Sequence, residues 1–412
     1  MGKAYDVSSG KYEVAKKAFV VEGSKYVKLP KAFVVEGGKY VKLWSGVATD
    51  IAVALNGIFD FLYFDDYSKA QSKEIASSNF SAITGGFNHW QKHIFKCNGG
   101  TISYLCEVRS DGTLNVVNVG TGGTTIGKFC LDGVGDKVWS HYYLHNALGG
   151  GQSGQGGYVL FNLHRWSEDM SLSTTTLYGY PPDQYEQLSW ADSYDGSSSS
   201  SSRYAFSNIV AHEGKLYFVK ERRYSYSSAV GTDSTYECDL ISFDPSTSKK
   251  TVELTRFINK SGSGNNVPNV NTTLLNFGGT FIFVSGAEIY KIANGTCTKL
   301  LTDIVYNGVF KVNETDFIAY TTGNLTGKVY RFANGNITVV KTITLPIAST
   351  NVAVKQGVIL YSYTNKSDNK TVLQYSLDCG TTWTKNVLSL KTDPSSSISS
   401  ATVHHYITSD FC

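Results

Sequence analysis

The sequence is short of the residues that build helices, and it is short of charge. Its 412 residues include 2 Met and 7 Pro, and 17% are charged, where a soluble domain ordinarily has about 25%. No run approaches the roughly 20 apolar residues that a membrane-spanning helix needs. These shortages exclude a coiled coil, a helical solenoid and a disordered chain. A net charge of +3 gives no basic excess for nucleic acid, so we expect neither nucleic-acid binding nor membrane insertion.

The N-terminus and the cysteines carry no sign of secretion. Residues 1–6 lack the apolar segment of a signal peptide. The 7 cysteines are scattered and include no Cys-x-x-Cys pair, which favours reduced thiols. We therefore expect a protein made in a cytoplasm without a signal peptide.

Glycine and aromatic residues are abundant instead. The chain has 40 Gly and 27 Tyr, and 13% of its residues are aromatic. Aromatic residues favour strands and glycine favours tight turns, so the composition predicts an all-β fold. The length exceeds one ordinary core of about 100–200 residues, unless the fold is a closed repeat or a barrel.

The first 44 residues contain a repeat with a period of 14. Lys-Ala-aromatic recurs at residues 3, 17 and 31, and Lys-Tyr recurs at residues 11, 25 and 39. Each unit predicts a β-hairpin: a strand, a Gly-containing turn and a second strand. Because a lone hairpin buries little apolar surface, its apolar face needs another surface, either another molecule or the rest of this chain. The residues predicted to anchor the hairpins are Phe19, Val21, Tyr26, Phe33, Val35, Tyr40 and Trp44.

This 14-residue pattern resembles the N-terminal repeats of virion structural proteins of tailed phages that infect Gram-positive bacteria. The resemblance covers about a tenth of the chain. It implies that residues 1–49 form an anchoring and oligomerisation module that binds other virion proteins, and that the protein is a homo-oligomer in the particle. It does not identify which virion component this is.

Residues 50–412 alternate short apolar strands with Gly, Asn or Asp turns. One class of turn, led by an acid or Asn, precedes a Thr/Val-rich strand and recurs at intervals of roughly 40–75 residues. Units of about 40–50 residues with four strands each are typical of a β-propeller. We predict seven blades, with six or eight as alternatives. The predicted turns between third and fourth strands are Asp65-Asp66, Asp111-Gly112, Glu168-Asp169, Asp244-Pro245, Asn294-Gly295, Asn334-Gly335 and Asp378–Gly380.

The predicted turns between first and second strands are one fewer than those between third and fourth strands. This difference predicts how the ring closes. Residues 51–55 and 58–64 are expected to be the second and third strands of a blade that lacks a first strand. The C-terminal residues 401–408 are expected to supply that strand, closing the ring and removing the open sheet edge. The predicted first-to-second turns are Gly85-Gly86, Asp132-Gly133, Glu213-Gly214, Gly278-Gly279, Glu314–Asp316 and Gln356-Gly357.

One further motif favours a propeller. Residues Ser376, Asp378, Gly380, Thr382 and Trp383 fit the pattern Ser-x-Asp-x-Gly-x-Thr-Trp. The pattern resembles the Asp-box of sialidase-type propellers, which forms the turn between the third and fourth strands. The resemblance implies a structural role, in which the carboxylate accepts hydrogen bonds from turn amides and the Trp packs between blades.

The spacing of the turns predicts a functional face. Turns between first and second and between third and fourth strands share one face of a blade, and here they are tight. The long segments 146–157, 179–207, 224–237 and 259–270 fall on the other face, where loops on a rigid scaffold usually bind ligands. Trp44 to Asp50 enters from the tight-turn face, so we expect the hairpins opposite the long loops.

Two groups of residues on the long segments are suited to a glycan. Aromatic rings give flat apolar faces, and carboxylates accept hydrogen bonds from hydroxyl groups. Arginines give a basic patch suited to acidic groups. These residues could instead pack against the propeller scaffold or a neighbouring subunit, or they could simply be solvated. The candidate ligand-binding residues are Tyr180, Asp183, Tyr185, Trp190, Asp192 and Tyr194 in one segment, and Arg222, Arg223 and Tyr224 in the next.

No catalytic residue, metal site or cofactor is predicted. A sialidase-like site needs three arginines on a carboxylate, and the Arg-Ile-Pro signature of that family is absent. The pairs His89/His93 and His141/His145 have a spacing that converges on a helix but not on a strand. A glycosidase needs two carboxylates, which could come from Asp183, Glu186, Asp192 and Asp195, although acids in a polar loop are usually solvated.

The sequence therefore predicts a non-enzymatic phage protein located in the virion, of the tail-fibre, tail-tip or head-fibre type. Its propeller is expected to bind a bacterial surface glycan. The alternatives are a glycan-degrading depolymerase, a capsid- or tail-decorating protein without a receptor, and a soluble propeller of cellular origin.

Overall fold

The protein is all-β in a computed structural model, and the residues that this structure describes contain no helix. The expected all-β class is confirmed. Backbone is described for residues 5–6, 13–14, 19–22, 25–28, 31–36, 39–45, 60–64, 82–89, 92–99, 102–108, 114–121, 129–131, 137–146, 158–178, 199–228, 231–263, 272–321, 325–346, 352–355, 358–365, 370–391 and 404–408. Side chains are described for residues 105, 129–131, 137–142, 160–178, 205–222, 235–262, 272–321, 325–346, 354, 358–359 and 374–384.

The N-terminal repeats form three separate two-stranded sheets. The paired strands are β1 (Tyr5–Asp6) with β2 (Glu13–Val14), β3 (Phe19–Glu22) with β4 (Lys25–Lys28), and β5 (Lys31–Glu36) with β6 (Lys39–Ser45). One hairpin per repeat is therefore confirmed. Val21 lies opposite Tyr26 and Val35 lies opposite Tyr40, so the second and third repeats share a register. The surface that the anchoring residues contact stays a prediction.

After β7 (Asp60–Phe64), six antiparallel sheets of four or five strands follow in the described part of the chain, and we number them blades 1 to 6. Blade 1 contains β8 (Ala82–His89), β9 (Lys92–Gly99), β10 (Ile102–Val108) and β11 (Leu114–Thr121); blade 2 contains β12 (Cys130–Leu131), β13 (Val138–Asn146), β14 (Tyr158–Trp166) and β15 (Leu172–Tyr178); blade 3 contains β16 (Ser199–Phe206), β17 (Val210–His212), β18 (Lys215–Ser228), β19 (Gly231–Asp244) and β20 (Lys249–Ser263).

Blade 4 contains β21 (Thr272–Phe277), β22 (Thr280–Ser285), β23 (Glu288–Ala293) and β24 (Thr296–Thr302); blade 5 contains β25 (Gly308–Lys311), β26 (Asp316–Thr321), β27 (Thr326–Ala333) and β28 (Asn336–Thr344); blade 6 contains β29 (Val352–Lys355), β30 (Val358–Asn365), β31 (Lys370–Ser376) and β32 (Thr384–Lys391). Strands that follow one another along the chain pair side by side within each blade, except β16 and β17 of blade 3. In blade 3, β16 and β17 both pair with β18.

Most predicted turns lie between the expected strands. In blades 1 to 6, each predicted third-to-fourth turn falls where the third strand gives way to the fourth. Asn294-Gly295 and Asn334-Gly335 have positive φ at both residues, the conformation of a type I′ hairpin turn. Asn and Gly are the residues that adopt it most readily, which is why the sequence located these turns correctly.

One predicted turn is wrong. Gly85-Gly86 was expected to join the first two strands of blade 1, but it lies inside β8. The pairing of β8 with β9 shifts register between Ile83 and Gly85, which marks a β-bulge. Glycine serves a bulge and a turn through the same backbone freedom, so the pair alone does not distinguish them.

The core lies between neighbouring blades. Phe161 of blade 2 and Phe218 of blade 3 have ring centroids 4.7 Å apart. Tyr217 of blade 3 and Phe281 of blade 4 are 4.8 Å apart, and buried clusters also join blades 4 and 5 and blades 5 and 6. From blade 2 to blade 6, the first strands of successive blades contact one another. This is a β-propeller-like arrangement.

The C-terminal strand pairs with the strand that precedes the blades. β33 (His404–Thr408) is antiparallel to β7 and contacts β8 of blade 1. Residues 51–55, its expected neighbour, lie outside the described residues. The sequence predicted β7 as the third strand and β33 as the first strand of one blade, and these positions are not adjacent; the direct pairing of β7 with β33 shows that the two assignments are not both right. Tyr406 lies opposite Leu62 and Ile407 opposite Phe61, and such aromatic–aliphatic cross-strand pairs stabilise the pairing.

One buried titratable group makes the stability of the fold depend on pH. His164 of β14 is 3% exposed, and its Nδ1 lies 3.4 Å from Thr174 Oγ1. Burial lowers the pKa of His164 from its ordinary value of 6.5 to about 4, because a charged imidazole loses its hydration there. The folded state therefore binds this proton less readily than the unfolded state does.

We expect the free energy of unfolding to fall as the pH drops from 6.5 towards 4, because the unfolded chain takes up a proton that the folded chain resists. The contribution from His164 is fully present above pH 6.5, and about 2 kcal/mol of it is lost by about pH 5. Urea unfolding at several pH values measures this. His164→Gln removes the titration, so its profile is expected to be flatter; parallel profiles would contradict the assignment.

Candidate functional site

The connections between strands differ in length between the two faces of the blades. Turns between first and second and between third and fourth strands span two to seven residues, the longest being 377–383. Within the six blades, the longest connections, 147–157 and 179–198, both belong to the opposite face. The predicted asymmetry holds for these two segments, whereas the other connections between second and third strands are as short as the turns. We call these the turn face and the long-segment face.

Blade 3 extends beyond its neighbours on the long-segment face. Its strands β18 and β19 have 14 residues each, whereas β22 and β23 of blade 4 have 6. Residues 224–237, predicted to be a loop, instead belong to the β18–β19 hairpin, whose turn is 229–230. That prediction is wrong, as is the loop prediction for 199–206 and 259–263, which lie in β16 and β20. We call residues 199–206, 220–228, 231–239 and 257–263 the blade 3 extension.

A β-bulge marks the junction between the blade and the extension. The register of β19 with β20 shifts on both sides of Leu240, and Arg256 has a φ of 46°. The Arg256 N–H donates to Asp239 Oδ1 at 2.7 Å, and Lys220 Nζ lies 3.3 Å from Asp239 Oδ2. A bulge of this kind strengthens the local twist of the sheet, so we expect the extension to be twisted relative to the blade.

Charged side chains form a band across the base of the extension. Glu237 lies 3.8 Å from Arg222 and 3.5 Å from Arg256. The Arg222 side chain is 36% exposed and that of Glu237 is 17% exposed, so both still reach solvent. An exposed pair of this kind adds at most about 1 kcal/mol to stability, but it holds donors and acceptors in fixed positions. Those groups are able to hydrogen-bond a hydroxyl-rich ligand.

An aromatic residue fixes the start of the longest segment. The ring of Tyr178, the last residue of β15, lies 3.7 Å from Lys250 Nζ and 5.5 Å from Lys220 Nζ, measured to its centroid. These are cation–π contacts across the boundary of blades 2 and 3. The segment that follows contains six predicted ligand-binding residues, all outside the described residues, so their role stays a prediction: Tyr180, Asp183, Tyr185, Trp190, Asp192 and Tyr194.

A buried carboxylate ties the extension to blade 4. Glu221 is 0% exposed. The Tyr236 hydroxyl donates to Glu221 Oε2 at 3.0 Å and shares a hydrogen bond of 2.9 Å with Ser285 Oγ, while Thr272 Oγ1 donates to Glu221 Oε1. Burial, together with the charge of Glu221, raises the pKa of Tyr236 well above its ordinary value. Thr272 and Ser285 belong to blade 4, so this network holds two blades together where the extension begins.

Three predicted ligand-binding residues lie in this region. Arg222, Arg223 and Tyr224 are consecutive residues of β18, a strand and not the expected loop. The sequence missed the residues that surround them: Lys220, Glu221, Tyr236, Glu237, Asp239 and Arg256. Cations at 220 and 222 stand opposite acids at 239 and 237, a pattern visible only once the hairpin is recognised.

The Asp-box residues form a hydrogen-bonded turn on the other face, between β31 and β32. Asp378 Oδ1 accepts from the N–H groups of Thr381 and Thr382, each at 2.9 Å. The backbone N–H of Thr382 and the hydroxyl of Ser376 hold the pKa of Asp378 well below its ordinary value.

The rest of the box packs against the core. Gly380 has a φ of 87°, and a Cβ there would lie 2.8 Å from Ile343 Cδ1. Trp383 packs against the cluster between blades 5 and 6. These contacts give the motif a structural function in the turn, while the family resemblance stays a prediction.

Two kinds of feature were not found in the described part of the chain. Its side chains include no group of three or more His, Cys, Asp or Glu placed to hold a metal ion. Nor does that part contain a helix with the length and apolar character needed to cross a membrane.

Comparison with known proteins gives distant structural likenesses. No protein-family model matches the sequence, and no curated protein is significantly similar to it. The chain is similar to virginiamycin B lyase from Staphylococcus aureus, at 12% identity and a TM-score of 0.42, covering 81% of this chain and 90% of the other. It is also similar to a streptogramin B lyase, at 12% identity and a TM-score of 0.38, covering 82% of this chain and 89% of the other. A functionally unknown protein from Desulfotomaculum acetoxidans is 14% identical, with a TM-score of 0.32, covering 77% and 85%. No activity follows from likenesses this distant.

We expect Tyr236→Phe to lower the free energy of unfolding by about 1–3 kcal/mol, because Glu221 and Ser285 lose a buried hydroxyl partner. Urea denaturation measures the loss. Tyr320→Phe is the matched control: Tyr320 is 5% exposed, and its hydroxyl makes no hydrogen bond within the described residues. Equal losses in the two variants would contradict the function assigned to the Tyr236 network.

Proposed function

We propose that this chain is a non-enzymatic virion protein of a tailed phage, attached through residues 1–49 and binding a bacterial surface glycan through its long-segment face. The observation that carries the proposal is the blade 3 extension. Its strands are longer than those of blade 4 on the face that also has the longest connections within the six blades, and its charged residues Arg222 and Glu237 are partly exposed. A rigid scaffold that presents such a surface is typical of a binding protein.

The geometry of the extension supports a hydroxyl-rich ligand. Glu237 and Asp239 are 17% and 19% exposed, and each is held in place by a cation. Side chains fixed before binding lose less conformational entropy when the ligand arrives, so the binding free energy is more favourable. Arg222 supplies several N–H donors beside them, and carboxylate and guanidinium groups together match the donors and acceptors of sugar rings.

The hairpins support attachment to other virion proteins. Each repeat pairs only two strands, and an isolated pair of this size is marginal in water. Three hairpins with the same register therefore favour a larger partner surface, either another virion protein or further copies of this chain. The resemblance of the repeat to phage virion proteins supports the same assignment.

We further propose that β33 and β7 form a partial seventh blade that closes the ring, with β33 as its first strand. The contact between β33 and the first strand of blade 1 supports this, because first strands are also neighbours from blade 2 to blade 6. Closure by the C-terminal strand would leave no sheet edge open between the last blade and the first.

Deletion of residues 404–412 is expected to lower the melting temperature of the whole propeller by several degrees, because both β7 and blade 1 lose a neighbour. Deletion of residues 1–45 is the control, and its propeller is expected to melt at the parent temperature. Differential scanning calorimetry measures both. An unchanged melting temperature after the C-terminal deletion would contradict closure.

The glycan-binding proposal is tested with the purified chain and a panel of cell-wall polysaccharides from Gram-positive bacteria, by biolayer interferometry. We expect one or more polysaccharides to bind. The Arg222→Ala/Tyr224→Ala variant is expected to bind at least tenfold more weakly, which is about 1.4 kcal/mol. Arg165→Ala, which removes an exposed arginine near the turn face of blade 2, is expected to bind as the parent does.

Two outcomes would contradict the proposal. Absence of binding to every polysaccharide would favour a decoration protein without a receptor. The appearance of new reducing ends during incubation would identify a depolymerase instead.

A further inference from the structure

Arg256 of β20 has a backbone conformation that its side chain disfavours. Its φ is 46°, in the left-handed region, and it lies in the β-bulge at the base of the blade 3 extension. Its N–H group donates to Asp239 Oδ1 at 2.7 Å, which holds this part of the backbone in place. Glycine adopts such a conformation without strain, whereas an arginine there costs folding free energy. The stability of the backbone therefore does not explain why the chain has an arginine at this position.

The guanidinium group of Arg256 is largely open to solvent. The side chain is 58% exposed, and its contact with Glu237 is an ion pair in which Nε lies 3.5 Å from Oε1. Within the described residues, the guanidinium group donates no hydrogen bond and has no second ionic partner. Arg331 of blade 5 shows the contrast, because its Nε and Nη2 both donate to Asp316, at 2.9 and 3.0 Å. The protein occupies the donors of Arg331, whereas those of Arg256 are available to a ligand.

The charges around Arg256 favour an anionic group. Glu237 also lies 3.8 Å from Arg222, so two guanidinium groups share one carboxylate. Asp239 lies 3.3 Å from Lys220 and accepts the Arg256 N–H. This band therefore has three cations and two carboxylates, all with described side chains. One excess cation beside fixed carboxylates favours an isolated anionic group over a polymer with a charge at every unit, which the carboxylates would repel.

We infer that Arg256 is a specificity-determining residue of the proposed glycan-binding surface, and that its guanidinium group binds an oxyanion group, carboxylate or phosphate, of an acidic polysaccharide. This inference deepens the proposed function and rests on it. A guanidinium group binds two oxygens of such an anion through two parallel hydrogen bonds, a geometry that lysine, as a point charge, does not provide. The backbone strain supports the same assignment, because residues in strained conformations cluster at functional sites.

Replacement by glycine distinguishes this function from a structural one. Arg256→Gly removes the strain together with the guanidinium group, so we expect the melting temperature of the full chain to rise by about 1–3 °C while binding weakens. Ser248→Gly is the matched control, because Ser248 has a φ of 54° and is exposed in the turn 245–248 on the turn face. This control is expected to melt higher by a similar amount and to bind as the parent does. Differential scanning calorimetry measures both melting temperatures.

Binding is measured by biolayer interferometry with the full chain. The probes are phosphorylated dextran, carboxymethyl dextran, neutral dextran and single-stranded DNA, together with the cell-wall polysaccharides. We expect the parent to bind one anionic dextran about tenfold more tightly than neutral dextran, and the preferred one identifies phosphate or carboxylate. Arg256→Gly is expected to lose about tenfold on that probe, with a weaker salt dependence. Arg256→Lys keeps the charge without the two-pronged geometry and is expected to lose about threefold.

Four results would overturn the inference. Undiminished binding of the anionic dextran by Arg256→Gly would assign the anion to other residues, and a parent that binds the anionic dextrans no more tightly than neutral dextran has no anion subsite. A lower melting temperature of Arg256→Gly would show that the arginine stabilises the fold, and a preference for DNA over both anionic dextrans would identify a nucleic-acid surface. If the parent and Arg256→Gly bind cell-wall polysaccharide equally, the proposed function stands and only this inference fails; if the parent binds none, both fail.

Discussion

Burial of both faces of each inner blade is the constraint on which the rest of the structure depends. In β22, Phe281 and Phe283 pack against blade 3, while Ile282 and Val284, which alternate with them, pack against blade 5. A strand covered on both faces has to be apolar at successive positions, and five of the six residues of β22 are buried. Apolar surface is therefore buried mainly between neighbouring sheets, and this burial holds the sheets together side by side.

The blade 3 extension begins where that constraint ends. Its ladder of backbone hydrogen bonds continues beyond the length of the blade 4 strands. Glu221 and Tyr236 lie at this boundary, still buried and hydrogen-bonded to blade 4. Next to them, Arg222 and Glu237 form an ion pair and stay partly exposed. The same strands thus serve the core at one end and the proposed binding surface at the other.

The parts of the fold that the sequence predicted are those where a local backbone requirement selects particular residues. Two turns of blade 4, Gly278-Gly279 and Asn294-Gly295, were located correctly, because glycine and asparagine separate its short apolar strands. The extension was taken for loops because the usual strand signal is an apolar period, and in β18 the charged residues 220–223 interrupt that period. The pairing of β7 with β33 joins the two ends of the chain, and local sequence carries little information on such distant partners.

The candidate site was foreseen only in part for the same reason. Arg222, Arg223 and Tyr224 stood out by their chemistry, but Glu237, the partner of Arg222, is brought to it by the register of the hairpin. A sequence pattern identifies residue types that suit a ligand. The strand pairing decides which of them act together.

The central claim is that a surface glycan binds to the long-segment face at the blade 3 extension. Hydrogen–deuterium exchange of the full chain, with and without the polysaccharide that it binds, tests this most directly. We expect slower exchange in residues 199–206, 220–228 and 231–239, and unchanged exchange in the turn-face residues 245–248, 294–295 and 334–335. Protection confined to the turn face would contradict the account.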